Sequence, residues 1–450
     1  MAFAAAPQRS GSAFHRFLNR IVDVRPSEAP ALAWAWLYMF SLLSSYYILR
    51  PIRDQMGVAG GVKNLQWLFT GTLIGMLVLN IPFSYLVKTF PRRTFISISY
   101  RFFAVNILLF ALALYLATPE QTIWVGRIFF IWTSVFNLFV VSIFWQMIVD
   151  IFTAEQGKRL FGFMAAGATL GAIAGSSFTV STVEHMAPAY LMIGSAIMIE
   201  IAVFCVRRLS LLSASLSERP RSEQNDDRPV GGTLLAGFRD AQASSYLLNV
   251  SVFLLLYAIT STFLYFQQAS IVSHAFSSRA AQTQFFASVD LGVNILTLVV
   301  QLFLTGRILR WFGVGTTLSM LPAASVIGFG VVALLPSLVS IVTFQLVRRA
   351  GNFAIARPTR EILFTVVPRE DRYKAKSFID TAVYRLGDQI GAWSFALLSY
   401  LKLGATDISI VAAVTSIIWL TNSWWLGRRQ DALARATQGA KPADPAPPAN

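Results

Sequence analysis

The chain has 450 residues, more than half of them apolar and only 13% charged, with a formal net charge of +15. A soluble chain of this length carries about a quarter charged residues to coat its surface, so the composition excludes a soluble globular protein. The single cysteine, Cys205, excludes intrachain disulfides and Cys-cluster metal sites, and His15, His185 and His274 are scattered without zinc-binding spacing.

In chain order, residues 1–30 form a basic N-terminal segment with Arg9, Arg16, Arg20 and Arg25. It has no short apolar core followed by a small-residue cleavage site, so no cleaved signal peptide is read. Ser12–Val24 places Phe14, Phe17, Leu18, Ile21 and Val22 on one face and predicts an amphipathic helix lying on the membrane surface. Apolar runs then follow at 31–49, 64–87, 95–117, 123–149, 160–181 and 187–206. Each is long enough to cross the bilayer core as a helix. The stretch 207–243 is polar and reads as a central loop. A second set of runs occupies 244–267, 283–306, 314–335, 338–358, 377–401 and 406–426, and residues 427–450 read as a disordered tail. The expectation is an all-α polytopic membrane protein of twelve transmembrane helices in two six-helix halves, 31–206 and 244–426.

Lys and Arg counts orient the spans. With the N-terminus in the cytoplasm, Lys88, Arg92, Arg93, Lys158, Arg159, Arg307, Arg310 and the basic residues of 207–239 and 357–376 all fall inside. The opposite face keeps only Arg50, Arg53, Lys63, Arg127, Arg279 and Lys402. The excess of basic residues on one side explains the net charge without nucleic acid, and places both termini in the cytoplasm of a multi-pass inner-membrane protein.

The halves share a repeat. SYLVKTFPRRTF (Ser84–Phe95) follows the second span and GRILRWFGVGTT (Gly306–Thr317) follows the eighth, with Lys88/Arg310, Phe90/Phe312 and Thr94/Thr316 at one constant offset. Both segments resemble, in degenerate form, the short basic loop between spans two and three of the major facilitator superfamily. That resemblance implies a cavity lined mainly by spans one, four, seven and ten.

Ionisable residues inside the membrane are costly and mark functional or structural sites. Arg348 and Arg349 lie about 15 Å into the tenth span and, with Asn352, are best placed to meet a solute. They sit about 100° apart around the helix, so at most one points straight at the cavity axis and the other is expected to hold a carboxylate such as Asp290 or Asp388. Arg385 and Asp388, three residues apart, are expected to pair on one helix face. Asp380, Asp290 and Arg101 are further candidates for coupling or structural pairs. Asn137, Ser134 and Trp132 fall midway along the fourth span, and Tyr257, Thr260 and Tyr265 line the seventh. Gly167, Gly171 and Gly175 recur every fourth residue of the fifth span and read as a close-packing, sliding surface. No Walker or Rossmann arrangement is present, so neither enzymatic activity nor ATP hydrolysis is expected. No cofactor is implied.

Three blocks resemble the ATP/ADP translocase, or nucleotide transporter, family of intracellular bacteria and plastids and its uncharacterised relatives in free-living bacteria. They are YYILRPIRDQMG (Tyr46–Gly57), the stretch Phe136–Gly175 containing EQGKRLFG, and the stretch Ala356–Gly391 containing KAKSFID and LGDQIG. The resemblance covers roughly Ala31 to 426. It implies that Arg53 stands where that family has a nucleotide-binding lysine, and that the family's fourth-span glutamate falls near Thr133 or Ser134. Asp388 stands where the family has a lysine, a reversal of charge. The resemblance implies ATP/ADP-type exchange, with Arg50, Arg53, Arg348, Arg349, Asn352, Asn137 and Tyr257 as substrate-binding candidates. The expected partner is an anionic solute, nucleotides among the candidates, bound by a monomer in contact with membrane lipid. Two alternatives stay open: a proton-coupled carrier of another solute with Asp290, Asp380 or Asp388 as proton site, and a non-transporting sensor or assembly protein.

Overall fold

The computed structural model describes residues 24–216, 244–367, 375–376 and 378–439, and among them every regular element is helical. The helices are α1 (Ala29–Ala59), α2 (Leu65–Thr89), α3 (Arg92–Leu116), α4 (Pro119–Ile151), α5 (Ala154–Thr182) and α6 (Pro188–Leu216). After the central segment come α7 (Ser245–Ala275), α8 (Arg279–Phe303), α9 (Thr305–Leu334), α10 (Leu338–Gly351), α11 (Arg357–Leu363), α12 (Tyr384–Tyr400) and α13 (Ala405–Gly439). Helix starts follow from local side-chain chemistry. Thr118 and Thr153 each form a capping box, with Gln121 and Gln156 respectively, while Ser244, Ser278 and Ser337 cap α7, α8 and α10.

Ten helices among the described residues are long and apolar enough to cross a membrane. The two remaining expected spans are helical but interrupted. A wider π-turn over Asn352–Ala356 joins α10 to α11, and a second over Ile379–Val383 leads into α12. Such turns insert a residue into the i→i−4 ladder, so an apolar run gives no warning of them.

Two boundaries are corrected. α6 continues through Arg207 and Arg208 to Leu216, so the central loop does not begin at 207. α13 continues to Gly439, so 427–439 is helix rather than disordered tail. The stretch RRQDALARA is rich in strong helix formers and needs no apolar run to propagate an existing helix. The surface helix expected over Ser12–Val24 lies outside the described residues, Val24 excepted, as do 217–243 and 440–450.

Two compact units form. The first comprises Met1–Arg53, Ile74–Gln224 and Thr283–Asp290; the second comprises Asp54–Leu73, Asn225–Gln282 and Leu291–Asn450. Each therefore takes a short piece from the other half of the sequence.

In the first unit, the glycine row of α5 lies on the backbone of α1. A Cβ added at Gly167, Gly171 or Gly175 would stand 2.8, 2.3 and 2.4 Å from the carbonyl oxygens of Trp36, Phe40 and Ser44. The Ser44 hydroxyl donates to the Gly171 carbonyl at 3.0 Å. Tyr38 and Tyr100 join hydroxyls inside the core, and Ser45 and Ser195 do so at 2.7 Å.

The second unit repeats the device. Gly387 and Gly391 of α12 face α7, where their Cβ atoms would meet Leu255 O at 2.9 Å and Ile259 O at 3.0 Å. Fifth span on first and eleventh on seventh is the pairing a six-helix repeat requires. The loop repeat behaves likewise: Pro91 precedes α3 and Gly313, with φ 70°, breaks α9, each one residue after the matched Phe90 and Phe312.

Candidate solute site

In the first unit, Arg53 of α1 and Ser134 of α4 meet, Nη1 to Oγ, at 3.4 Å, and the guanidinium lies 5.0 Å from the centroid of the Phe130 ring. Of the two positions matched to the family's glutamate, Thr133 is buried and Ser134 is the one beside Arg53. Asn137, one turn beyond, is half-buried and has no partner among the described residues. Trp132 instead stacks on Phe136 at 5.2 Å within a cluster of phenylalanines, which is packing. One turn before Arg53, Arg50 pairs with Asp290 of α8 at 3.4 Å and lies over Tyr47.

In the second unit Arg348 holds no carboxylate among the described residues. Its Nε donates to Ser325 at 3.2 Å, Nη1 to Ser261 at 2.7 Å, and Nη2 to Thr260 at 2.7 Å and to the Tyr257 carbonyl at 3.2 Å. The rings of Tyr257 and Trp419 flank it at 5.1 and 5.9 Å. With 2% of its surface exposed, this guanidinium fastens α7, α9, α10 and α13 together, its charge spread over hydroxyls and aromatic faces. The expectation that Arg348 or Arg349 would hold Asp290 or Asp388 is therefore corrected for Arg348. Asp290 is held by Arg50, and Asp388 by Arg385 at 3.1 Å. Ser261, Ser325 and Trp419 were not singled out in the sequence because nothing local distinguishes them from other small or aromatic residues in apolar runs.

Arg349 is half-buried on the adjoining face of α10. Asn352, at the start of the first π-turn, is half-buried and its side chain has no partner among the described residues. Gln345, one turn before Arg348, donates to Gln268 at 2.6 Å, and Tyr265 donates to Asp54 at 3.0 Å. Asp380 sits in the second π-turn and pairs with Arg360 at 3.1 Å. Arg101 pairs with Glu200 of α6 at 3.6 Å, both about half exposed, so this pair lies on the outer side of the α3–α6 contact and not among the solute candidates.

Outside the spans, Glu28 is buried just ahead of α1. The Arg25 amide donates to it at 3.0 Å, as do the Gln156 amide and Arg159, each at 3.0 Å. Burial alone would raise its pKa, but these donors outweigh burial and hold the carboxyl below its ordinary value. Among the described residues no group of His, Cys, Asp and Glu could hold a metal ion.

Residues 31–392 match the Major Facilitator Superfamily family model. The chain belongs to the major facilitator superfamily. Its fold agrees with solved members: a POT family transporter in complex with 5-aminolevulinic acid aligns at TM-score 0.61, 11% identity, over 89% of this chain and 96% of that one. The xylose transporter XylE from E. coli aligns at TM-score 0.58, 14% identity, over 90% and 98%. Among curated proteins, ADP,ATP carrier protein 2 of Chlamydia pneumoniae is 20% identical over 95% of both chains. The protein is accordingly a multi-pass membrane transporter of the facilitator type.

Proposed function

We propose that this transporter exchanges an organic anion, with nucleotides as the leading class, by alternating access and without hydrolysing ATP. The observation that carries the reading is Arg53, a half-buried guanidinium lying over Phe130 with the neutral hydroxyl of Ser134 where the resembling family has a carboxylate. A cation beside an aromatic face suits an anion that carries a planar ring. The full-length similarity to an ADP,ATP carrier protein supports the same class. Asn137, in the same unit as Arg53, adds a polar side chain with no partner among the described residues. Asp290, Asp380 and Asp388 each have an arginine partner, which favours a structural role over proton coupling. The same reading puts both termini in the cytoplasm of an inner-membrane protein on the excess of Lys and Arg along one side; reporter fusions after Ser222 and Gln438 test this, and a periplasmic signal from either overturns it.

The test is thermal stabilisation of the purified protein by ATP, ADP and sugar phosphates, followed by uptake into proteoliposomes loaded with the responding solute. Arg53→Ala should lose the solute-dependent shift while its unliganded melting temperature stays near wild type. Arg348→Ala should instead lower the unliganded melting temperature, because four hydrogen bonds within a buried cage go at once. An undiminished solute response in Arg53→Ala refutes the site, and wild-type protein unmoved by every anion refutes the substrate class.

A further inference from the structure

The opening turns of α9, Thr305–Phe312, end at the Gly313 break and expose a mixed face. Arg307, Arg310 and Trp311 stand at i, i+3 and i+4, all exposed. α13 carries a second such face near its end. Trp424 and Trp425 are exposed there, and Arg428 and Arg429 follow them one turn later, while Ser423, Leu426, Gly427 and Gln430 between them are buried. Just past the break, α9 meets α13 backbone to backbone, since a Cβ on Gly427 would stand 2.1 Å from the Gly315 Cα. Gly315 follows Trp311 by four residues and Gly427 lies between Trp425 and Arg428, so faces more than a hundred residues apart in sequence flank one helix contact.

Among the described residues, no carboxylate holds the arginines of this surface. Arg307 and Arg429 have no partner among the described residues, Arg310 donates only Nε, to the Gly306 carbonyl at 3.3 Å, and Arg428 lies 4.7 Å from the Trp424 ring centroid. Asp431 is the one carboxylate within 305–317 and 421–432. Guanidinium forks beside hydrocarbon call for a counter-anion, and their planar donors match the paired oxygens of a phosphate.

We propose that this Arg307/Arg310/Arg428/Arg429 surface, bordered by Trp311, Trp424 and Trp425, binds the phosphate of an anionic phospholipid. The tryptophans decide for a lipid over a soluble anion. Their rings are 67%, 57% and 40% exposed, and a free phosphate would leave that apolar area wet, whereas acyl chains and glycerol cover it. The headgroup then bridges the broken start of α9 to the end of α13 and fixes both at the membrane surface.

The experiment uses full-length protein in a neutral detergent. Melting is followed as phosphatidylglycerol, phosphatidylcholine at the same mole fraction, or inorganic phosphate is added, for wild type and for the variant with all four arginines replaced by Gln. Each arginine should contribute on the order of fivefold to affinity for an anionic surface at low salt, so the pair Arg428→Gln/Arg429→Gln should need about 25-fold more phosphatidylglycerol. The quadruple variant should show no response. All four side chains are exposed, so the variants should fold; an unchanged melting temperature in phosphatidylcholine confirms that. Equal stabilisation by phosphatidylcholine, stabilisation by inorganic phosphate alone, or an undiminished response of the quadruple variant each overturns the proposal.

Discussion

Replacing Gly171 by Ala should destabilise the protein through a single backbone clash. The new methyl carbon would stand 2.3 Å from the Phe40 carbonyl oxygen, about 1 Å inside ordinary van der Waals contact. Neither partner is a flexible side-chain end, so α1 and α5 must part by a comparable distance. That shift also opens the contacts at Gly167 and Gly175 and stretches the Ser44 to Gly171 hydrogen bond. A gap of this size forfeits a quarter to a half of each close contact, and overpacking of this kind costs about 1–3 kcal/mol. We expect the upper part of that range, because three glycine contacts loosen together. The control is Gly330→Ala in α9, where nothing lies within 4 Å of the added carbon. Both variants gain the same helix propensity, so their difference isolates the clash. Gly387→Ala, with 2.6 Å to the Ala258 Cβ and 2.9 Å to Leu255 O, should fall between them. Thermal unfolding in one detergent at one scan rate reads the ranking. If Gly171→Ala melts with Gly330→Ala, the glycine row is not the α1–α5 contact described here.

Two other outcomes follow from the charged groups. In a double-mutant cycle on thermal stability, Arg385→Leu or Asp388→Leu alone should cost several kcal/mol by stranding a charge at membrane depth, and the double variant less than either; additive losses would show that the two do not act as a pair. Because the Glu28 carboxyl is held below its ordinary value, its contribution is complete above the usual carboxylate range and fades as pH falls through its lowered pKa. Glu28→Gln should therefore flatten the loss of melting temperature below about pH 5, where the unfolded carboxyl begins to take up its proton; an equally steep loss in the variant would remove Glu28 from the acid response.

The sequence by itself determined the all-helical membrane class and the apolar runs that form the ten long helices. Those rest on local quantities: the length of an apolar run against the thickness of hydrocarbon, and the residues that border it. The Arg385 and Asp388 pairing was legible for the same reason, since both stand on one helix three residues apart. What only the tertiary structure decided is which face of each span looks inward. In water that face is written as an apolar stripe, but in lipid the outer surface is as apolar as the core and the stripe disappears. Arg348 was therefore assigned to the solute when it closes a cage of Ser261, Ser325, Thr260 and Tyr257. Asp290 was offered to the tenth span when Arg50 of the first holds it. Gly387 and Gly391 carried the same spacing as the α5 row, yet only the contact with α7 gave that spacing a meaning. The π-turns at Asn352 and Ile379 leave no trace in composition, because one inserted residue changes the hydrogen-bond ladder and not the hydropathy.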